Sequence, residues 1–313
     1  MKINKQLVFN LSLAFLLFFV IHFLMSNRII SAYYQLNIYL LFINIIMATS
    51  LNLVNGFLGQ LHLGHAGFMA VGAYVSAAMT TKMDLPFLPA VITGSIAAGI
   101  VGLLIGYPIF RSGRLGGDYL AIATLGFGEI VRIIFVNTQY VGGASGLSGI
   151  PRYTNWPILF FLTVATVLLI RNFINSSHGR AVLSIREDEI AAETMGINLT
   201  KYKLMAFSIA AFFAGLAGTL YAHYFFIISP NTFNFLKSVD YLVMAVLGGL
   251  GSITGSIIAA SGLTIISALL QDFGALRMVA YSMILVIIMI FRPSGLMGTK
   301  EFKLSFLEEK ERR

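Results

Sequence analysis

Long apolar segments, separated by shorter polar ones, follow one another along nearly the whole chain. Several approach the roughly 20 residues that an α-helix needs to cross a bilayer, and a backbone in hydrocarbon must satisfy its own hydrogen bonds, which favours helices. The pattern therefore predicts an all-α, polytopic transmembrane helical bundle that forms a single domain over residues 1–313. The predicted spans are residues 7–25, 35–54, 61–81, 90–110, 119–136, 156–170, 204–227, 241–250, 255–270 and 278–291.

Two glycine-rich segments, residues 55–77 and 246–256, interrupt the apolar pattern. The second overlaps the eighth span, which is short for a crossing and either begins near Phe233 or is re-entrant, so eight to ten crossings are predicted. Helices broken at membrane depth are tolerated where the backbone is buried in protein or lines a wet cavity, and freed helix ends can hold polar substrates. Dense helix packing is the alternative. The candidate pathway residues in these segments are Gln60, His65, Phe68, Gly248, Gly249 and Gly251.

The fifth span carries ionisable residues, which are costly at membrane depth and usually face the interior of a bundle, paired or hydrated. Asp118 opens this span and Thr124 lies within it. Glu129 and Arg132, three residues apart, share one face of a helix. Two interpretations stay open: these side chains line a pathway, or Glu129 and Arg132 form a structural pair that serves packing specificity.

The polar interval of residues 172–203 lies between two spans in a chain with only 11% charged residues. Ser184 can cap a helix there, with Glu187 at the spacing of a capping box. Gly196 supplies a residue that tolerates the left-handed conformation at a helix end. The sequence therefore predicts a helix of about three turns over residues 184–196, either a docking element or part of a solvated link.

Charge sets the predicted orientation, because Lys and Arg concentrate on the cytoplasmic side of membrane proteins. With the N-terminus inside, most of the 21 Lys and Arg residues fall on the cytoplasmic side, including those in the loop 172–203 and in a charged tail over residues 292–313. Both termini are then cytoplasmic. The net charge of +8 is scattered over loops, so it indicates topology and predicts no nucleic-acid partner.

Composition and motifs also exclude several kinds of functional site. The chain has no cysteine, which excludes disulfides, thiolate metal sites and cysteine nucleophiles. It lacks the phosphate-binding loop G-x-x-x-x-G-K-[ST] of many ATPases, so it cannot hydrolyse ATP with such a loop. His62 and His65 share a helix face without a third ligand. We therefore expect no catalytic residue, no metal site and no cofactor held by this chain, which is not an enzyme.

Six sequence blocks follow one another along the chain: GFLGQLHLGHAGFMAVGAY (56–74), GGDYLAIATLGFGEIVR (116–132), GGASGLSGIP (142–151), GRAVLSIREDEIAAETMGINLTKYKLMAFSIAAFFAGLAGTLYA (179–222), VMAVLGGLGSITGSIIAA (243–260) and FRPSGLMG (291–298). Together and in this order they resemble the LivM-type permease subunits of bacterial ABC importers for branched-chain amino acids. The resemblance covers roughly residues 44–298, with His62 where such permeases more often carry a small hydroxyl residue.

The resemblance implies that residues 184–196 are the coupling helix, which sits in a groove of a cytoplasmic ATPase. The implied assembly lies in the bacterial inner membrane and takes up leucine, isoleucine and valine. It contains a related second permease subunit, two ATPase subunits that bind the ATP, and a periplasmic amino-acid-binding protein. Asp188 and Glu193 would offer further carboxylates to the ATPase. The residues implied in coupling are Ser184, Glu187, Glu189, Ala191, Ala192 and Gly196.

Two other transport classes remain alternatives at this stage. Relatives of this permease class also move urea and short amides, and no span carries an unambiguous clamp for an amino acid. An ion-coupled secondary transporter could use Glu129 and would need no partner subunits. A membrane-embedded enzyme would need a constellation of acid, base or metal ligands that the sequence does not show.

Overall fold

The computed structural model describes residues 5–27, 29–111, 118–273, 279, 282, 283, 286, 290–292, 295–298 and 301. Within these ranges the chain is a bundle of α-helices, as the apolar pattern predicts. The helices are α1 (Lys5–Ser26), α2 (Ala32–Asn52), α3 (His65–Lys82), α4 (Phe87–Arg111), α5 (Asp118–Asn137), α6 (Trp156–Asn175), α7 (Ser177–Glu187), α8 (Glu189–Thr194), α9 (Leu199–Phe225), α10 (Phe235–Gly248) and α11 (Ile253–Leu269).

Nine of the ten predicted spans coincide with a helix in the described part of the chain, and the tenth, residues 278–291, lies largely outside it. Five helical segments in the described ranges are long and apolar enough to cross a membrane, which confirms the polytopic helical class. They are Ala32–Phe57, Phe87–Arg111, Tyr119–Asn137, Trp156–Asn175 and Leu199–Phe225.

Helices α3, α4 and α9 form the most closely packed part of the bundle. A Cβ on Gly72 of α3 would overlap the carbonyl oxygen of Gly215 in α9, and a Cβ on Gly218 of α9 would overlap the carbonyl oxygen of Met69. A Cβ on Gly94 of α4 would come within 2.7 Å of the Thr219 side chain. Small residues at these positions let the helix backbones approach closely, as in other membrane bundles.

Both glycine-rich segments break their helices, as predicted. After α2 the chain makes a π-helical turn (Leu53–Phe57) and then a non-helical stretch, residues 58–64, which we call the first break. Residues 249–252, the second break, separate α10 from α11. Gly249 and Gly251 have φ angles of 117° and 92°, in the left-handed range that glycine adopts without strain.

Helix α10 begins at Phe235, near the earlier of the two predicted starts, rather than at residue 241. Its 14 residues span about 21 Å at 1.5 Å per residue, which is shorter than the roughly 30 Å hydrocarbon core. A short 3-10 turn (Pro230–Phe233) leads into α10.

The predicted single helix over residues 184–196 is wrong. Helix α7 begins earlier, where the Ser176 hydroxyl accepts from the backbone N–H of Gly179 at 3.2 Å, and it continues because Val182 and Ile185 bury one face against the bundle. Ser184 is therefore inside α7 and is not a cap; its hydroxyl donates to the carbonyl oxygen of Ala181 at 2.9 Å.

Asp188 caps the following helix instead. Its extended backbone (φ −160°, ψ 114°) separates α7 from α8, and its Oδ1 accepts from the backbone N–H of Ala191 at 2.9 Å. The prediction for Gly196 is confirmed, since its φ is 83°. Bonds from the Gly196 N–H to the Glu193 carbonyl oxygen at 2.9 Å and from the Ile197 N–H to the Ala192 carbonyl oxygen at 3.1 Å complete a Schellman motif.

Helices α7 and α8 connect the end of α6 to the start of α9. At the other end of these two long helices, two short strands, β1 (Leu147–Ser148) and β2 (Ile227–Ile228), pair antiparallel. The α7–α8 connection and the strand pair therefore lie at opposite ends of the bundle.

Most of the predicted tail, residues 292–313, lies outside the described residues. Where it is described, it is attached to the bundle: the Leu296 N–H donates to the carbonyl oxygen of Leu247 at 2.7 Å. The Glu301 carboxylate accepts from the backbone N–H groups of Ile253 at 2.6 Å and Thr254 at 3.1 Å, at the positive N-terminal end of α11.

Candidate functional site

Glu129 and Arg132 form an ion pair on α5, with Arg132 Nε donating to Glu129 Oε2 at 2.8 Å. Arg132 Nη1 also donates to Asn231 Oδ1 at 3.1 Å, so the pair connects α5 to the 3-10 turn before α10. The Arg132 side chain is 28% exposed and the Glu129 side chain 34%. A charged pair that stays partly open in an apolar helix needs water or polar protein in front of it.

A shallow indentation lies beside this pair. It forms where the first break, α5 and the start of α10 meet, and it is too narrow to hold a water molecule. Its lining is mostly apolar and consists of Leu63, Leu125, Gly128, Glu129, Phe233, Asn234, Phe235 and Ser238. Thr124 Oγ1 of α5 accepts from the Leu63 N–H at 3.1 Å, which holds the first break to α5. Ser238 Oγ of α10 accepts from the Ala66 N–H at 3.0 Å, which holds the start of α3, directly after the break, to α10. Glu129 and the first break thus share one surface.

The remaining pathway candidates of α5 differ in their positions. Thr124 is buried, and its hydroxyl serves the first break as a hydrogen-bond acceptor while donating to the Ala121 carbonyl oxygen at 3.1 Å. Asp118 is the first residue of α5, and its side chain lies outside the described part of the structure.

His65 and Phe68 lie in a buried aromatic cluster instead of lining the indentation. Phe68 packs on Phe127 and Phe207, with ring centroids 4.7 Å and 5.5 Å away. His65 Nε2 and Ser50 Oγ form a hydrogen bond of 2.9 Å. The His62 ring is buried nearby, and neither of its nitrogens has a hydrogen-bond partner among the residues that the structure describes. No group of three or more His, Asp or Glu side chains could hold a metal ion within the described ranges.

Gly248 ends α10, and Gly249 and Gly251 lie in the second break. Asn52 of α2 holds this junction of α2, α10 and α11 together. Asn52 Nδ2 donates to the carbonyl oxygens of Gly249 at 3.2 Å and Ser252 at 2.9 Å and to Ser256 Oγ at 2.7 Å. Its Oδ1 accepts from the Gly251 N–H at 3.0 Å. A Cβ on Gly248 would come within 2.5 Å of the Gly255 backbone, so close packing explains this glycine.

Side chains attach the α7–α8 connection to the π-helical turn and to the first break. Arg186 Nη1 of α7 donates to the carbonyl oxygen of Gly56 at 3.1 Å. Glu189, the first residue of α8, accepts from Gln60 Nε2 at 2.8 Å and from Lys203 Nζ at 2.7 Å. Glu187 accepts from Arg186 Nη2 at 2.6 Å. Gln60 and Glu189, which the sequence analysis assigns to separate sites, are therefore in contact.

Helix α8 presents an apolar surface to its surroundings. Ile190 and Met195 are 76% and 82% exposed, and Ala191 and Glu193 are exposed beside them. Ala192, by contrast, is buried against the chain's own bundle. We call Ile190, Ala191, Glu193 and Met195 the α8 face.

Sequence reasoning missed Asn52, Lys203 and Asn231. Asn52 was visible as an amide in an apolar run, but nothing in the pattern pairs it with a break 200 residues later. Nothing in the sequence distinguishes Lys203 and Asn231 from other polar residues. In the fold, Lys203 contacts Glu189 and Asn231 contacts Arg132.

A comparison with known protein families shows to which family the chain belongs. The profile of the family described as "Branched-chain amino acid transport system / permease component" matches residues 33–292, which is most of the chain. The chain belongs to this family. This permease, a transport protein and not an enzyme, is 37% identical over 290 residues to the high-affinity branched-chain amino acid transport system permease proteins LivM of Salmonella typhimurium and Escherichia coli. These alignments cover 82% of the permease and 68% of each relative.

A second kind of relative is more distant. The permease is 26% identical over 289 residues to the Escherichia coli permease protein LivH, which is named for the same transport system, with 82% of the permease and 91% of the relative covered. No solved structure matches the permease.

Proposed function

We propose that this permease is one membrane subunit of an ATP-driven importer for leucine, isoleucine and valine. The observation that carries the proposal is its 37% identity to proteins named as branched-chain amino acid permeases, over 82% of its length. Escherichia coli has two differently named permease proteins for this kind of system, both similar to this chain, which supports a related second permease subunit as its partner. The assembly lies in the inner membrane, with both termini of the permease cytoplasmic.

The α8 face is where this proposal places the ATPase subunits. Large apolar side chains as exposed as Ile190 and Met195 mark surfaces that bind a partner when they cluster. Helix α8 is stabilised at both ends, by the Asp188 cap and the Schellman motif at Gly196, so it presents these side chains in a fixed arrangement. ATP is bound by these partner subunits. A periplasmic binding protein approaches the opposite end, which carries β1 and β2.

The indentation at Glu129 is where the proposal places the translocation pathway. The partly open Glu129–Arg132 pair requires a polar or hydrated environment, and the non-helical backbone of the first break is tolerated only where it is buried or lines a wet cavity. Both conditions are met if this surface of α5 faces the water-filled path between two permease subunits. Thr124 then acts indirectly, by holding Leu63 of the first break at the edge of the path.

The test is transport by the complete complex in proteoliposomes, made from this permease, a second permease subunit, two ATPases and the binding protein. Uptake of labelled leucine should depend on ATP and should be inhibited by isoleucine and valine but not by urea. ATP-dependent uptake of urea without leucine uptake would assign the permease to the class for urea and short amides. Leucine uptake by this chain alone, driven by an ion gradient, would make it a secondary transporter and overturn the proposal.

A further inference from the structure

Glu189 joins three separate parts of the permease at one carboxylate. It is the first residue of α8, next to the α8 face. Its Oε2 accepts from Lys203 Nζ near the start of α9 at 2.7 Å, and its Oε1 accepts from Gln60 Nε2 of the first break at 2.8 Å. Hydrogen bonds to a charged group are stronger than those between neutral groups. These hydrogen bonds therefore tie α8 both to α9 and to the first break.

The two donors of this contact are buried, while the Glu189 side chain that accepts from them is 41% exposed. Lys203 is only 9% exposed and Gln60 only 7% exposed. A buried ammonium needs a paired carboxylate, so Lys203 holds Glu189 in place. The amide of Gln60 reaches the same carboxylate from the other side and has no charge that would itself require pairing. Gln60 can thus be removed without leaving an unpaired charge.

The first break is fixed firmly enough to pass a displacement of α8 onward. The Gln60 N–H donates to the carbonyl oxygen of Val54 at 3.1 Å, and the His62 N–H donates to Asn55 Oδ1 at 3.1 Å, so the break is held to the π-helical turn. The next N–H, from Leu63, donates to Thr124 Oγ1 of α5 at 3.1 Å. Hydrogen bonds therefore lead from α8 to the helix that carries Glu129.

We propose that the contact of Gln60 with the Glu189–Lys203 pair, which we call the Gln60 link, transmits the movement of α8 to the first break and to α5. Gln60 is then a positioning residue for transport: it touches neither the ATPase nor the substrate. The inference rests on the proposed function, because it requires α8 to be moved by an ATPase. The sequence analysis assigns Gln60 to the lining of the pathway. In this inference Gln60 instead transmits the movement of α8 to the helices that form the pathway.

The test compares Gln60→Leu with the unmodified permease in the reconstituted complex, and measures leucine transported per ATP hydrolysed. Gln60→Met, with an unbranched side chain of similar length, is the second variant in case Gln60→Leu does not assemble. Because the Glu189–Lys203 pair stays intact, co-purification of the ATPases and the thermal midpoint should stay at the native level. Leucine transported per ATP should fall at least about fivefold, the lower end of typical coupling between sites. The matched control Gln139→Leu changes an exposed glutamine in the 3-10 turn that follows α5 (Gln139–Val141) and should transport normally.

A double-mutant comparison separates this role from a purely structural one. The change Glu189→Leu with Lys203→Leu removes the pair without leaving a charge, and adding Gln60→Leu to it should cause no further loss. An equal loss in both backgrounds would show that Gln60 acts by another route and would overturn the inference. So would native transport per ATP in Gln60→Leu. If the unmodified complex itself showed no ATP-dependent leucine uptake, the proposed function would fail instead.

Discussion

Asn52 makes the strongest prediction about stability, because this one buried side chain connects α2 to the second break and to the start of α11. In Asn52→Leu, an apolar side chain of similar size, four hydrogen bonds are lost. Two acceptors keep other partners: the Gly249 carbonyl oxygen still accepts from the Ser252 N–H at 3.1 Å, and the Ser252 carbonyl oxygen accepts from the Ser256 N–H at 3.2 Å. Ser256 Oγ can still donate to that oxygen at 3.0 Å.

The largest cost then falls on the N–H of Gly251, which Asn52 Oδ1 alone accepts among the contacts of the described residues. A buried N–H left unpaired costs about 1–3 kcal/mol, and a typical hydrogen bond contributes about 1 kcal/mol. The expected loss of stability for Asn52→Leu is therefore about 2–4 kcal/mol. At roughly 2–4 °C per kcal/mol, the thermal midpoint of the purified permease should fall by roughly 4 °C or more.

The matched control for this prediction is Asn37→Leu in the same helix. Asn37 is half-buried, and its side chain donates to the carbonyl oxygen of Tyr33, one turn earlier in α2, at 2.9 Å. Its loss leaves no backbone group unpaired, so the midpoint should change little. Asn52→Asp should be worse than Asn52→Leu, because a carboxylate would face three acceptors in a buried site. Equal midpoints for Asn52→Leu and Asn37→Leu would refute this explanation of the junction.

The α8 face, the charged pair and the orientation of the bundle each allow a further test. Ile190→Glu should abolish co-purification of the ATPases without lowering the thermal midpoint, since the side chain is exposed; retained binding would contradict docking at this face. Glu129→Gln should destabilise the permease by about 1–3 kcal/mol, less than the 3–5 kcal/mol of a fully buried pair. Adding Arg132→Gln should restore stability but not transport, and a double mutant that transports at the native rate would favour the structural interpretation. In this cysteine-free chain, Ser148→Cys should react with an impermeant thiol reagent from outside and Ser177→Cys should not, whereas the reverse pattern would invert the orientation.

The helices and both breaks were predictable because membrane helices are defined by long apolar runs, and glycine marks the positions where the chain turns. The division of residues 184–196 was not, because the capping-box spacing predicts a helix start at Ser184, whereas in the structure Asp188, four residues later, is the cap. Burial of Val182 and Ile185 decided between them, and burial depends on how α7 meets the bundle. Local cap patterns could not provide that information.

The candidate pathway residues were predictable as a set but not as an arrangement. The i,i+3 spacing of Glu129 and Arg132 predicts their contact, and the structure shows it. The contact of Gln60 with Glu189 joins residues 129 positions apart. It exists because the first break directs the Gln60 amide towards α8. The direction of that side chain cannot be predicted from hydropathy or from the spacing of residues.

The close packing of α9 against α3 and α4 has a consequence for synthesis of the chain. The end of α9 at Phe225 is made 114 residues after the end of α4 at Arg111, which takes roughly 6–23 s at about 5–20 residues per second. During that interval the glycine faces of α3 and α4 have no α9 to cover them. A nascent chain that stops in this interval displays an open groove of backbone in the membrane, and its survival depends on whatever insertion machinery shields that groove until α9 arrives.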